Sequence, residues 1–185
     1  MIASGSRFVP QPASSTTSLL PGTPPRVTVG VTDLRATADR GVQVITHALG
    51  SCIGVTAWDP RTHATAMLHY MLPESKVSPE KAEHQPAMFG DLGVPLLIEK
   101  MKALGCDTRR IVVCAAGGAE VVADGGKFRI GARNRTILRK LAWKHNLLLA
   151  ADDTGGNFSR TMSIDVESGT VRIRTQGEER TLWAA

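Results

Sequence analysis

The chain has 185 residues, 42% hydrophobic and 21% charged, with a formal charge of +5 from 22 basic and 17 acidic side chains. These values are those of one globular domain of ordinary size; they exclude a largely disordered chain, and no run approaches the roughly 20 apolar residues that a membrane-spanning helix needs, so no membrane insertion is expected. The basic residues are scattered and aromatic side chains are sparse, which argues against nucleic acid as a partner.

Residues 1–25 are rich in Ser, Thr and Pro (Pro10 to Ser15, then Pro21-Gly22-Thr23-Pro24-Pro25), a composition that predicts a flexible tail ahead of a single domain over residues 26–185. Ser18-Leu19-Leu20 is far too short for the apolar region of a signal peptide, and the expected location is the cytoplasm. Alternating valines from Arg26 to Val31 predict the first strand, and Val42 to Ile45 a second. Cys52 to Trp58 predicts a third, closed by a turn at Asp59-Pro60-Arg61-Thr62. Ala64 to Met71 then returns as the other arm of a hairpin, which brings His69 back beside Cys52.

Residues 75–85 read as a polar loop. Leu96, Leu97, Met101 and Leu104 predict a helix over Leu92 to Leu104, with Pro95 in its first turn and Gly105 as its stop. Arg110 to Ala116 is a continuous apolar run of buried-strand type, and Gly117-Gly118 announces a loop with unusual dihedrals. Ala132 to Lys144 carries Ile137, Leu138, Leu141 and Ala142 on one face, the pattern of an amphipathic helix. Leu147 to Ala151 is the next strand, Asp152 to Asn157 a loop, and Thr161 to Asp165 with Thr170 to Thr175 a second hairpin. No repeat is visible.

The three cysteines form no CxxC pair and have no histidines at metal-ligand spacing, so neither a disulfide framework nor a metal site is expected. Cys52 follows Gly50-Ser51, where glycine permits a tight turn and leaves room for a substrate. A nucleophilic thiol needs a base, and His69 is the candidate by the hairpin argument. A buried cysteine is equally at home as a small apolar residue, and a strand histidine as a satisfied core group. Cys114 reads as core and Cys106 as partly exposed filler. His47, His63, His84 and His145 fall in segments read as turn, loop or helix surface. The Thr46 hydroxyl is suited to orienting an imidazole or a substrate amide, although a strand-end threonine is commonly structural.

Thr46-His47-Ala48-Leu49-Gly50-Ser51-Cys52-Ile53 and Leu68-His69-Tyr70-Met71-Leu72-Pro73, taken together, resemble the two signature blocks of the chemoreceptor glutamine deamidases, the CheD family of bacterial chemotaxis. Further likenesses follow in order: Pro95 to Glu99, Gly117-Gly118-Ala119, Ile130 to Asn134, and Asp153 to Asn157 with Arg160. The resemblance implies an α+β fold, a two-sheet β-sandwich flanked by helices in α/β/β/α layers and shared with glutamine-deamidating toxins. It implies a cysteine-dependent protein-glutamine glutaminase acting on methyl-accepting chemotaxis receptors through a thioester, without cofactor. Cys52 takes the nucleophile's place, His69 the base's and Thr46 that of the family's threonine. Gly50, Ser51, Gly117 and Gly118 are the candidates for substrate contact or an oxyanion site. The resemblance also allows a different reading, a binding module for a CheC-type phosphatase. Ala48 stands where the family usually has glycine, and Val121 where it often has methionine.

Overall fold

The computed structural model describes residues 24–120 and 129–185. Val121 and all but the last two residues of the expected N-terminal tail lie outside the described residues. The chain opens with five strands, β1 (Arg26–Val29), β2 (Asp33–Thr37), β3 (Gln43–Leu49), β4 (Ile53–Trp58) and β5 (Thr65–Tyr70). Two 3-10 turns (Ser75–Val77 and Pro86–Met88) then flank α1 (Pro79–His84) ahead of α2 (Gly90–Ala103). After β6 (Val112–Gly117) and α3 (Ile130–Lys144) come β7 (Leu149–Thr154), β8 (Arg160–Asp165), β9 (Val171–Thr175) and β10 (Glu178–Trp183).

The strands form two five-stranded sheets, ordered β1-β3-β8-β9-β10 and β2-β5-β4-β6-β7, both mixed in direction because β1 runs parallel to β3 and β7 parallel to β6. The alternation of each strand divides its side chains between two cores. Ile53, Val55 and Ala57 of β4 and Leu68 and Tyr70 of β5 face α2 and α3, packing on Leu97, Met101, Leu138 and Leu141. The opposite face carries Met67, Cys114 and Ala116 onto Val44, Met162 and Ile173 of the other sheet. Each large side chain so buried contributes about 1.5–3 kcal/mol.

The two-sheet sandwich matches the expected fold class, with one difference in layering. Among the described residues both long helices pack on the β4 sheet, giving helix, sheet, sheet in place of helices on both sides. The far face of the β3 sheet instead presents side chains such as Arg26, His47 and Arg174 to solvent.

The expected hairpin of β4 and β5 forms, with Ile53 opposite Tyr70 and Gly54 opposite His69. Other boundaries shift. α2 begins at Gly90, so Pro95 lies inside the helix and beyond its first turn, where it withholds the N–H that the Asp91 carbonyl would otherwise receive. β7 runs on to Thr154 through residues read as loop, because it is an edge strand whose Asp152 and Asp153 find arginines. β2, β10 and α1 were not foreseen; β2 and β10 are polar edge strands, and α1 buries no residue, so none carries a strong apolar period.

Candidate active site

β5 turns His69 toward the space between the sheets, on the face it shares with Met67, and the imidazole is fully buried at 0% exposure. Its Nδ1 lies 2.8 Å from the hydroxyl oxygen of Thr46, which reaches across from β3 in the other sheet. The same hydroxyl stands 2.8 Å from the Val29 carbonyl oxygen. A carbonyl can only accept, and the hydroxyl has one proton to give. Both contacts are satisfied when Thr46 donates to Val29 and the Nδ1–H of His69 donates to Thr46. That assignment leaves Nε2 with its lone pair.

Nε2 is buried and has no hydrogen-bond partner among the described residues, the Cys52 sulfur included. Burying an unpaired acceptor costs about 1–3 kcal/mol, a cost tolerated most readily where the atom has work to do. Burial also holds the imidazole at a pKa of about 4, so it is neutral, and a proton acceptor, across the physiological range.

Cys52 immediately precedes β4 and packs at the rim of the inter-sheet core, partly exposed. It is displaced by one pair of residues along the hairpin from Gly54, the partner of His69, and lies on the same face. Burial pushes its thiol upward, with its own backbone N–H working in the opposite direction. The resting pair is therefore a neutral thiol and a neutral imidazole, suited to proton transfer during attack rather than to a standing thiolate.

The turn before Cys52 is tightly drawn. Ala48 adopts a left-handed conformation (φ +58), the β3–β8 register slips between Thr46 and Leu49, and the Gly50 N–H donates to the Ala48 carbonyl at 2.9 Å. The end of β6 closes on this turn: the Gly118 N–H donates to the Cys52 carbonyl at 2.7 Å and the Ala119 N–H to that of Gly50 at 2.8 Å. Gly117 has φ +101, and a Cβ there would stand 2.2 Å from the Cys52 carbonyl oxygen, so only glycine permits the approach. Gly50, Ser51, Gly117 and Gly118 are thus all gathered at Cys52. The Gly50 and Gly118 N–H groups are already donated within the loops, so these two glycines shape the turn and present no free donor in this conformation.

The family model described as CheD chemotactic sensory transduction matches residues 71–175, more than half of the chain. The chain belongs to the CheD family. It is 40% identical to the probable chemoreceptor glutamine deamidase CheD 1 of Syntrophus aciditrophicus over 82% of this chain and 94% of the relative. It is 42% identical to the CheD 2 protein of the same description from Anaeromyxobacter dehalogenans, covering 80% and 94% respectively. The corresponding protein of Solibacter usitatus is 40% identical over 85% of this chain and 93% of its own.

Two further residues of this CheD-family chain brace the site. Asn134 on α3 is fully buried, and its Nδ2 donates to the Ser51 and Met71 carbonyls at 2.9 Å each, tying the turn before the cysteine to the strand end after the histidine. The Tyr70 hydroxyl in turn donates to the Asn134 carbonyl at 2.8 Å. The sequence held a signal for this: Asn134 is a polar residue at helical spacing with Ile137, Leu138 and Leu141, in the middle of the buried stripe. Arg160, 8% exposed, donates to the Gly155 carbonyl at 2.8 Å and to Asp153 at 3.1 Å, while the Gly155 N–H donates to Gly117 at 2.7 Å. It thereby supports the glycine turn from behind.

The remaining thiols and imidazoles stand apart. Cys114 is buried between the sheets with its pKa pushed to about 11 by burial, as core placement requires. Cys106 is more buried than expected, packed under α2 with the Thr62 hydroxyl 3.5 Å from its sulfur. His63 contacts the Glu167 carbonyl at 2.7 Å, and His47 is exposed beside Thr161. No group of side chains able to hold a metal ion occurs among the described residues. No helix among the described residues is long and apolar enough to cross a membrane.

Proposed function

We propose that this chain is a protein-glutamine glutaminase that converts glutamine side chains of chemoreceptors to glutamate, with Cys52 as nucleophile, His69 as base and Thr46 as the residue that orients the base. The observation that carries the reading is the buried, unpartnered Nε2 of His69, held in the acceptor tautomer by Thr46 on the face that Cys52 shares. The names of the relatives, chemoreceptor glutamine deamidases, supply the substrate.

In the proposed cycle Nε2 takes the Cys52 thiol proton as sulfur attacks the side-chain carbonyl carbon of a bound glutamine. The oxyanion that forms collapses, Nε2–H gives its proton to the departing nitrogen, and ammonia leaves a thioester on Cys52. The same Nε2 then draws a proton from water, which attacks the thioester, and glutamate and the free thiol are released. The balance is one water consumed and one ammonia formed per glutamine. The cycle requires the sulfur to approach Nε2 from its resting position, a rotation about the cysteine side chain when substrate enters; catalytic hydrogen bonds commonly tighten only in that complex.

A receptor cytoplasmic fragment incubated with the protein and analysed by mass spectrometry tests the reading. Amide-to-acid conversion at glutamines, abolished in Cys52→Ala and His69→Ala, is the expected result; conversion by Cys52→Ala at the wild-type rate overturns it. Binding of a CheC-type phosphatase is a second proposal, supported by family likeness alone, and co-purification of the two proteins tests it.

A further inference from the structure

A groove that the glutamine chemistry does not use opens beside the reacting pair. Its larger part, about 440 Å³, is floored by Met71, Leu72, Val77, Met88 and Ile130. A smaller part of about 230 Å³ shares Pro73 and Arg133 with it and continues along α3 to Lys140. The groove begins at the site itself: Met71 follows directly on β5, and Asn134 ties its carbonyl to that of Ser51, the neighbour of Cys52.

The floor is preformed. The N–H groups of Met71 and Leu72 both donate to the Met88 carbonyl at 3.0 Å, and the Gly90 N–H donates to Leu72 at 2.8 Å. The Asp91 carboxylate is taken up by the Ser75 N–H at 2.9 Å and hydroxyl at 2.8 Å, so it faces inward. The rim is basic. Lys81, Arg133 and Lys140 line it, and Glu74 is hydrogen-bonded by Lys76 and held below the ordinary carboxylate range by Lys76, Arg133 and Lys140 together. Arg133 and Lys140 are seven residues apart on one helix, a spacing of two turns or about 10 Å.

We infer that this groove docks the substrate helix on one side of the target glutamine, an amphipathic segment with an apolar ridge for the floor and carboxylates about two turns apart for Arg133 and Lys140. The inference rests on the glutaminase reading and names what that substrate must carry. A helix laid in a groove meets it through one apolar face, and flanking charges then fix register and raise the association rate. An apolar floor with cations on its rim selects an acidic amphipathic helix over a basic or uniformly polar one.

The test uses the full chain carrying Cys52→Ala, which holds substrate without turning it over, and a purified receptor cytoplasmic fragment, with binding measured by calorimetry at low and high salt. Arg133→Glu with Lys140→Glu should weaken binding by roughly tenfold or more and flatten its salt dependence. Arg26→Glu with Arg174→Glu, exposed on the far face of the β3 sheet, changes net charge equally and should leave binding within about twofold. Val77→Asp, on a residue that is 49% exposed, should weaken binding as well. Equal weakening by the two charge pairs, or none from the groove pair, overturns the inference. Failure of the glutaminase reading is separately visible, as receptor glutamines left intact by the wild type while the binding pattern stands.

Discussion

Thr46 and His69 lie in different sheets, yet their side chains meet at 2.8 Å between the two layers. The Val29 carbonyl, 2.8 Å from the same hydroxyl, fixes which way that contact points. The His69 ring is therefore oriented by the packing of one sheet on the other, and its protonation pattern is a property of the sandwich.

Removal of that orienting contact should affect chemistry more than binding. Thr46→Val removes a buried hydrogen bond worth about 1–2 kcal/mol and frees the ring to change tautomer, so kcat should fall by about fivefold to thirtyfold with KM little changed. Thr46→Ser keeps the hydroxyl and should retain most of the rate. Steady-state kinetics of ammonia release on a receptor fragment measures both.

The depressed pKa of His69 has consequences for activity and stability. The acid limb of kcat/KM should fall near pH 4 rather than near 6.5, because the base is lost only when the buried imidazole is protonated. For stability the sign is set by proton uptake: between about pH 4 and 6.5 the unfolded chain binds the imidazole proton and the folded chain does not. Stability from this group is therefore full above 6.5 and falls as pH drops to 4, by on the order of 3 kcal/mol. Urea titrations of wild type and His69→Gln across that window should show the steeper pH dependence in the wild type.

Asn134→Ala should be costly out of proportion to its size. It leaves the Ser51 and Met71 carbonyls without their shared donor, a loss of about 2–4 kcal/mol for two poorly solvated acceptors. Asn134→Asp should be comparably harmful, since it turns a donor into an anion facing two carbonyl oxygens. Denaturant midpoints check the stability, and the alkylation rate of Cys52 checks the turn.

Ala48 offers the opposite case. A left-handed alanine costs about 1–2 kcal/mol relative to glycine, against the 0.5–1 kcal/mol that glycine loses in chain entropy. Ala48→Gly should therefore stabilise the protein by roughly 0.5–1 kcal/mol without touching the reacting groups, as read from the chemical denaturation midpoint.

The hairpin that brings Cys52 and His69 to one face was legible because its two arms alternate, and alternation fixes both the pairing and the face. The stripe on α3 was legible for the same reason, a period carried by apolar residues, and the strand after α2 from an unbroken apolar run between turn signals. The polar edge strands β2 and β10 were not, since what makes them strands is a neighbour's free N–H and C=O groups rather than their own composition. Thr46 could be named from the family likeness, but its partner in β1 is a carbonyl, which no side-chain pattern records. Asn134 and Arg160 were visible as motif letters, and their roles required knowing which backbone turns they hold.

β4 is covered on both faces, every residue from Ile53 to Trp58 being buried, and it sits in the middle of its sheet between β5 and β6. Amides in such a strand exchange with solvent only when the whole protein opens, whereas rim segments open locally at far lower cost. Cys52 thus stands at the end of a strand that is buried along its whole length. Heat or denaturant should accordingly leave β4 itself intact until global unfolding, while the turn that carries Cys52, at the rim, yields locally and at lower cost.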